Sequence, residues 1–309
     1  MSQNESYTPE EISKILKVSK LTVYDLIKKG DIPAFRVGRQ MRVDGKDLEA
    51  YKAKSLTGND SLPTRTLQNP ITHDRTSQSI VVSGQDASLD LLVHQLERDN
   101  EQLHPLRSHS GSLDSLIEMY KGNAVIVSTH LFDGDTGTYN IPYIRKLLVS
   151  KPFVVLQFIK RQAGFYVAEG NPKNITSWED LSKPDIQVIN REAGAGARVL
   201  LDEQMRLHRI GKENLKGYLN TRTSHMDIAS EVANGYADVG VGIEQIAKVA
   251  PVDFIPLIEE NYDLAVLRTP DNQHVIETLH TILQERSFQE KLKSFGYDIK
   301  GIGTVLWEQ

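Results

Sequence analysis

The first fifty residues alternate apolar and polar positions with the period of two short helices followed by a β-hairpin. In YTPEEISKIL, Thr8 precedes Pro9, and Glu11 follows three residues after Thr8. This is the pattern of a capping box with proline at the first helical position. The segment SKLTVYDLIKKG carries a second apolar stripe, begins with a capping Ser19 and ends at Gly30. Two short helices this close together predict a helix-turn-helix.

The segment IPAFRVGRQMRV reads as two short strands joined by a turn at Gly38. Alternation places one set of apolar side chains on the inner face: Phe35, Val37, Met41 and Val43. It places three arginines on the outside and at the tip: Arg36, Arg39 and Arg42. A further helix is predicted over KDLEAYKAK. The order helix, helix, arginine-tipped hairpin, helix is the layout of a small, mainly α winged helix-turn-helix domain over residues 1–54.

The run YTPEEISKILKVSKLTVYDLIKKGDIPAFRVGRQMRV resembles the excisionase-like branch of the MerR-type DNA-binding domains, over residues 7–54. The resemblance implies a second helix in the major groove of double-stranded DNA and a wing on phosphates or in the minor groove. The residues expected to contact DNA are Ser19, Lys20, Thr22, Tyr24, Arg36, Arg39 and Arg42. Residues 1–54 hold eleven Lys and Arg against eight Asp and Glu, which favours a polyanionic partner. One copy is too small for high specificity, so a homodimer on a two-fold site is expected.

Residues 55–77 show neither a helical nor a strand period and are rich in Ser, Thr, Asn, Pro and Gly, which is typical of a linker. From residue 78 to residue 309, apolar strand segments alternate with loops and helices. This alternation predicts an α/β domain with parallel sheets covered by helices, in which ligands lie beyond the C-terminal ends of the strands. The loops at those positions are polar: SGQDAS, SHSGSLDS, STHLFDGD and NREAGAGAR.

The loop in INREAGAGARVLLDEQM follows an apolar strand and precedes a helix. Backbone N–H groups that converge at a helix start can bind an anion. The loop is not a phosphate-binding P-loop, because no Gly-Lys-Ser/Thr follows at the required spacing. It is not a dinucleotide-binding fingerprint either, because Arg198 stands where a third glycine is required. A plain helix cap is the alternative interpretation.

Six segments together resemble the cytoplasmic relatives of type II periplasmic binding proteins over residues 79–268: GQDASLDLL, GSLDSLIEMYKGNAVIVSTHLFD, RQAGFYVAEGNP, NREAGAGARVLLD, GYADVGVGI and EENYDLAV. Such relatives occur fused to DNA-binding domains or to enzymes of molybdopterin biosynthesis. The resemblance implies a two-lobed α/β domain over residues 78–309 with a ligand cleft. The chain is expected to cross between the lobes twice, which gives lobe one as residues 79–160 and 265–309 and lobe two as residues 161–260.

The residues expected to bind the ligand lie at strand ends and at the two crossings: Asp86, Ser112, His130, Asp133, Arg161, Arg191, Gly196, Arg198, His225 and Glu259. Three of them also have a structural alternative. Asp86 can cap the helix that it begins, Arg161 can be a salt-bridge strut, and His225 can be a buried structural histidine. At least one of Arg191 and Arg198 is expected to face the cleft.

Composition narrows the function classes. The 309 residues include no cysteine, which excludes disulfides, thiolate metal sites and a cysteine nucleophile. The segment MSQNESYTPEE lacks the features of a secretion signal, and no apolar run reaches the roughly 18 residues needed to cross a bilayer. A cytoplasmic protein with no membrane partner is therefore expected. The histidines lack metal-ligand spacing and no G-x-S-x-G elbow occurs, so neither cofactor, metal nor enzymatic activity is expected.

These features predict a one-component transcription regulator, in which the winged helix binds DNA and the two-lobed domain senses a small anionic effector. The family resemblance favours molybdate or tungstate. The mixture of Asp86, Asp133 and His130 with three arginines favours a small zwitterionic or carboxylated metabolite instead, because carboxylates repel a dianion. The alternative function is an excisionase-like architectural DNA-binding protein whose C-terminal domain only docks another protein.

Replacing Arg39 with Ala should weaken binding to all duplex sequences alike, because a wing arginine contacts phosphate. The slope of log affinity against log salt should become shallower by about one phosphate contact. Fluorescence anisotropy with labelled duplexes at several salt concentrations measures both effects. The matched variant Lys20→Ala should change sequence preference more than overall affinity. A changed preference at unchanged affinity for Arg39→Ala would contradict the wing assignment.

Overall fold

The structure is a computed structural model, and it describes residues 6–16, 20–29, 32–37, 40–48, 51, 78–100 and 102–309. The chain divides into two compact units, Met1–Thr72 and His73–Gln309. Among these described residues, no helix is both long enough and apolar enough to span a membrane.

The N-terminal unit contains two helices and a small antiparallel sheet. Its elements are β1 (Ser6–Tyr7), α1 (Pro9–Leu16), α2 (Lys20–Lys29), β2 (Phe35–Val37) and β3 (Gln40–Asp44), and residues 45–48 are again helical. Strand β3 pairs with β2 on one side and with β1 on the other. The two helices and the hairpin confirm the sequence prediction, whereas the pairing of β1 was not foreseen.

Local contacts explain how this unit is built. The backbone N–H of Thr8 donates to the Glu11 carboxylate at 2.8 Å, and the Glu11 N–H donates to the Thr8 hydroxyl at 3.4 Å, so the predicted capping box forms. The core consists of Ile12, Val23, Ile32, Val43 and Leu48. Phe35, predicted on the inner face, is 45% exposed. It lies in an edge strand, and Ile32 supplies the buried side chain just before it.

The C-terminal unit alternates strands and helices along its length. Its first half contains β4 (Gln78–Ser83), α3 (Ser88–Asp99), β5 (Leu103–Ser108), α4 (Ser112–Lys121), β6 (Ile126–Thr129), β7 (Phe132–Asp133), β8 (Thr138–Tyr139), α5 (Ile141–Leu147) and β9 (Phe153–Val167). Its second half contains β10 (Val188–Arg191), α6 (Gly196–Leu207), β11 (Thr221–Arg222), α7 (His225–Ala233), β12 (Val239–Ile243), α8 (Glu244–Ala247), β13 (Asp253–Leu267), α9 (Gln273–Gln284), α10 (Arg286–Ser294) and β14 (Val305–Glu308). Short 3-10 helices cover Trp178–Ser182, Lys212–Asn214 and Pro270–Asn272.

Nine strands of the described residues form one mixed sheet in the order β11-β10-β12-β9-β13-β6-β4-β5, with β14 also paired to β9. Only the outer pairs are parallel: β4 with β5 and β6, and β10 with β11 and β12. The expectation of parallel sheets was therefore wrong for the centre. There β9 and β13 run antiparallel to each other and to their remaining partners.

The two central strands explain this arrangement. Strands β9 and β13 have 15 residues each and pair along their whole length, so both run through both lobes. One end of the ribbon packs with β4, β6 and helices α3, α9 and α10 around Leu92, Phe158 and Phe288. The other end packs with β10, β12 and α6 around Phe165 and Leu201. The domain is thus a two-lobed α/β fold in which a continuous β-ribbon connects the lobes.

Candidate ligand-binding cleft

A cleft of about 710 Å³ lies between the two lobes. On the side of the first lobe it is lined by the loop after β4 and by the segment after α10, which supply Asp86, Phe295 and Tyr297. On the side of the second lobe it is lined by the start of α7 and by α8, including His225 and Ile246. The loops that follow strands therefore supply much of the lining, as expected for an α/β fold.

A buried ion cluster crosses the ribbon at one wall of the cleft. Arg161 of β9 stands opposite Glu260 of β13 in the strand register. Its Nε donates to Glu260 Oε1, and its Nη1 donates to Asp86 Oδ2. The side chains of all three residues are only 2% exposed. Burial alone would lower the pKa of Arg161, but the two carboxylates outweigh it and raise that pKa above its ordinary value.

Asp86 lines the cleft and also stabilises the start of α3, the structural role that the sequence left open. Its Oδ1 accepts a hydrogen bond at 2.7 Å from the N–H of Ser88, the first residue of α3, from the position just before the N-cap Ala87. The same atom accepts from the Tyr297 hydroxyl at 2.7 Å, while Oδ2 binds Arg161. The Arg161 guanidinium also lies 4.5 Å from the ring centroid of Tyr262. Arg161 is therefore the salt-bridge strut of the alternative interpretation, and its charge is held by two carboxylates and a ring.

Arg191 is the second arginine in the cleft, and its Nε and Nη2 atoms donate to protein groups. Its Nε donates to Glu192 Oε2 at 2.8 Å, and its Nη2 donates to Gln85 Oε1 at 2.6 Å and to the Thr223 carbonyl at 2.9 Å. Gln85 in turn donates to Glu192 Oε1 at 3.2 Å. Because Gln85 follows β4 and Arg191 ends β10, these bonds join the two lobes across the cleft.

His130 connects the two facing helix starts. Its Nδ1 lies 3.0 Å from the hydroxyl of Ser112, the first residue of α4. Burial, and then the charges of Arg161 and Arg191, hold the pKa of His130 well below its usual range, so the imidazole is neutral. On its other side the ring packs against Gly196, where an added Cβ would overlap Cδ2 and Nε2 of His130.

The loop at 194–198 is packed against the first lobe. The Leu113 N–H donates to the Gly194 carbonyl at 3.0 Å, and a Cβ built on Gly111 would lie 3.0 Å from that same oxygen. Ala195 and Ala197 are buried. None of the residues from 194 to 198 lines the cleft. The loop therefore lies against α4 and His130 rather than beside the cavity.

His225 begins α7 behind its capping residue Ser224, whose hydroxyl accepts from the Asp227 N–H at 3.0 Å. It lines the cleft, and its buried Nδ1 has no hydrogen-bond partner within the described residues. Gln245 lines the cleft too, and its Oε1 is likewise buried without such a partner. Burial, and then the charge of Arg191, hold the pKa of His225 well below its usual range.

Three of the residues predicted to bind ligand lie elsewhere. Asp133 accepts from Thr136 Oγ1 at 3.1 Å and lines a separate cavity of about 630 Å³. Arg198 pairs with Asp202 at 3.1 Å and stacks on a tyrosine ring. Glu259 forms an ion pair with Lys160 Nζ at 2.7 Å, and its side chain is 46% exposed. Ser112 and Gly196 adjoin His130 without lining the cleft.

The structure brings together Asp86, His130, Arg161, Arg191 and His225, all predicted from the sequence. It adds residues that sequence reasoning missed: Gln85, Gln245, Ile246, Val249, Tyr262 and Tyr297. The segment EENYDLAV did indicate Tyr262, because Glu260 and Tyr262 are two residues apart and therefore lie on the same face of β13.

Within the described residues, no group of three His, Asp or Glu side chains is arranged to hold a metal ion.

Comparison with known proteins agrees with this architecture. The family model described as PBP superfamily domain matches residues 93–284, and the model described as helix-turn-helix domain matches residues 6–55. The protein YvgK of Bacillus subtilis is 45% identical over 313 residues, which cover 100% of both chains.

Two solved structures share the fold of the C-terminal unit. PhnD1 from Prochlorococcus marinus, in complex with methylphosphonate, has a TM-score of 0.52 at 13% identity and covers 72% of this chain and 91% of that chain. The sulfate-binding protein SubI from Mycobacterium tuberculosis has a TM-score of 0.51 at 16% identity and covers 72% of this chain and 86% of that chain. At these identities the likeness concerns the fold alone.

Replacing Gly196 with Val should lower the free energy of unfolding by about 1–3 kcal/mol, because the new side chain overlaps the His130 ring. Removing that ring should relieve the overlap. In chemical denaturation, the double variant Gly196→Val/His130→Ala is expected to lose less stability than the two single variants summed. Strictly additive losses would contradict the packing of Gly196 on His130.

Stability should fall as the pH drops below about 6.5, because the unfolded chain then takes up a proton at His130 that the folded chain does not. The contribution is up to about 1.4 kcal/mol per pH unit for this one histidine. Asp263 acts in the opposite sense, since burial raises its pKa to about 6. Comparing urea denaturation of the natural protein and His130→Asn between pH 5 and 7.5 isolates the histidine. An unchanged slope would contradict a neutral His130.

Proposed function

The chain belongs to the PBP superfamily domain family, and on that premise we propose that it is a one-component transcription regulator that responds to a small ligand. One observation carries the proposal: the same chain joins a helix-turn-helix unit to a two-lobed domain with an interlobe cleft of about 710 Å³. A cleft of this size lies in the range that holds a small organic ligand. A regulator of this kind acts on double-stranded DNA in the cytoplasm.

The DNA-binding half of the proposal is supported by the exposed face of α2. Lys20 and Tyr24 are exposed there, and Lys20 Nζ lies 3.1 Å from Glu10, a pairing that a DNA phosphate can replace. Arg42 of the hairpin donates to the Ser6 carbonyl at 3.3 Å and so holds β1 against the wing. Thr22 is exposed on the same helix. Ser19 and Arg39 lie outside the described residues, and the structure describes only the backbone of Arg36, so the DNA contacts of these three residues stay predictions.

The ligand-sensing half is supported by the contacts that join the lobes. Besides the Gln85–Arg191 bond, the Gly134 N–H donates to Glu203 Oε2 at 2.9 Å, and Leu113 donates to Gly194. A molecule in the cleft lies between the elements that carry these bonds. It can therefore shift the balance between lobe arrangements, by as much as its affinity differs between them. In a homodimer, such a shift would change how the paired winged helices fit a two-fold DNA site.

An anionic effector, either molybdate or tungstate or a small carboxylated metabolite, is the prediction made from the sequence. An anionic effector requires hydrogen-bond donors in the cleft that protein groups do not already occupy. The alternative of an architectural DNA-binding protein requires no effector at all. Both are therefore distinguished by the response of the purified protein to small molecules.

The proposal is tested with the full chain in two linked measurements. Selection from a random duplex pool, followed by anisotropy, should yield sites bound about a thousandfold or more tighter than random DNA. Native mass spectrometry of the freshly purified protein then identifies any retained molecule. A deproteinised small-molecule extract of the expressing cells should shift both the melting temperature and the affinity for the selected site.

The matched variant Lys20→Ala should lose site preference but keep the extract-induced shift in melting temperature. Selective DNA binding that the extract leaves unchanged, with no shift in melting temperature, would overturn the regulator and favour the architectural alternative. Loss of selectivity in the natural protein would overturn the DNA half of the proposal.

A further inference from the structure

We infer that the interlobe cleft binds an uncharged, largely apolar organic molecule that carries an N–H or O–H donor, received by Gln245. This inference rests on the proposed function, in which the cleft is the effector site, and it names the chemical class of that effector. Four observations carry it: the charge balance, the position of the glycine loop, the apolar wall and the unpartnered polar atoms.

The positive charges of the cleft are already balanced by the protein. Arg161 is held by Asp86 and Glu260, and Arg191 by Glu192. The third cation, Lys248 at the mouth, pairs with Glu244 at 2.9 Å. Every arginine and lysine among the lining residues that the structure describes therefore has a carboxylate partner. A dianion that binds Arg161 would have to displace a buried carboxylate from it, which is costly.

The two buried imidazoles of the cleft do not supply a positive charge. The pKa values of His130 and His225 are both held well below the usual range by burial and by the neighbouring arginines. Both rings are therefore neutral near pH 7. They can exchange hydrogen bonds with a ligand, but they offer no cation for a carboxylate or an oxyanion.

The glycine loop also lies outside the cavity. Residues 194–198 pack on α4 and on His130, and the Gly194 carbonyl already accepts from Leu113. The start of α4, marked by Ser112, is buried in the same contact. The N-termini of α4 and α6 thus contact each other directly. Backbone donors at these helix starts do not line the cleft.

The cleft instead presents an apolar wall. It is formed by Met226 of α7, Ile243 at the end of β12, Ile246 and Val249 in and after α8, and Phe295 after α10. Val249 and Phe295 at the mouth are 71% and 53% exposed, although both are large apolar side chains. Contiguous exposed apolar side chains around a cavity are typical of a binding surface for an apolar group. A single tetrahedral oxyanion would leave this wall without contact.

Gln245 specifies the polar end of the ligand. Its Nε2 donates to the Gly296 carbonyl at 3.1 Å, which fixes the orientation of the amide. Its Oε1 is therefore an acceptor, and it is buried without a partner in the described part of the chain. A buried acceptor of this kind is satisfied by an N–H or O–H group and is repelled by an anion. His225 Nδ1, also unpartnered there, is a second polar contact at the same cleft.

The test uses the full chain and two probe panels, measured by thermal shift and by calorimetry. One panel contains molybdate, tungstate, sulfate and phosphate. The other contains uncharged aromatic fragments in matched N–H and N–CH3 pairs, such as indole and 1-methylindole. We expect stabilisation by the uncharged fragments and not by the oxyanions, and we expect the N–H member of each pair to bind about tenfold more tightly than its methylated partner.

Three variants locate the binding. Gln245→Leu should remove the preference for N–H over N–CH3. Val249→Glu, at the exposed mouth, should weaken fragment binding about tenfold. Leu219→Glu is the matched control, since Leu219 is 84% exposed and does not line the cleft, and it should leave binding unchanged.

Stabilisation by an oxyanion, or a preference for N–H that survives in Gln245→Leu, would overturn the inference. So would the absence of any response to the uncharged panel. Each of these results leaves the regulator proposal standing if the cell extract still changes affinity for the selected DNA site. A protein whose DNA affinity ignores both the extract and the bound fragment would overturn the proposed function instead.

Discussion

The ion cluster of Arg161, Glu260 and Asp86 is the interaction on which the rest of the C-terminal unit depends. Its three members come from β9, β13 and the loop after β4, so one guanidinium links both hinge strands to the first lobe. Buried charges are costly to take out of water, and removing one partner of such a cluster typically costs about 3–5 kcal/mol. Hydrogen bonds from Tyr297 and Ser88 satisfy the remaining oxygen of Asp86. The cluster therefore fixes where the ribbon passes from one lobe to the other.

Because of the same cluster, the presence of several arginines does not by itself make the cleft an anion-binding site. From residue types alone, three arginines suggest an anion site. In the structure Arg161 and Arg191 are paired, while Arg198 stacks on Tyr218 and pairs with Asp202 one turn along its own helix. Asp86, which looked like an obstacle to an anion, is one of the partners that neutralise these cations. The cleft then presents an apolar wall beside cations that already have carboxylate partners.

Local patterns predicted local structure well, and the site less completely. The Thr8–Glu11 capping box follows from short-range rules, and it forms as predicted. Strand alternation could decide between Glu259 and Glu260 only through Tyr262, which is two residues from Glu260. Register shifts between residues 256 and 258 and between 262 and 264 interrupt the period of two on either side, so the longer pattern of β13 gave no help. Gln245 and Ile246 reach the cleft from α8, a helix of four residues that has too few positions for a periodic signal.

The pairing of β9 with β13 and β14 has a consequence for synthesis of the chain. The first lobe contains residues from near residue 80 to near 299 in one core, and β9 finds its partners about a hundred residues or more downstream. The described core of the N-terminal unit lies within residues 12–48 and is made first, so it can form while the rest of the chain is still on the ribosome. A message truncated before β13 would therefore release a folded helix-turn-helix unit beside a C-terminal unit that lacks its central strand. Under the proposed function, such a product would compete for the same DNA sites without answering to any small molecule.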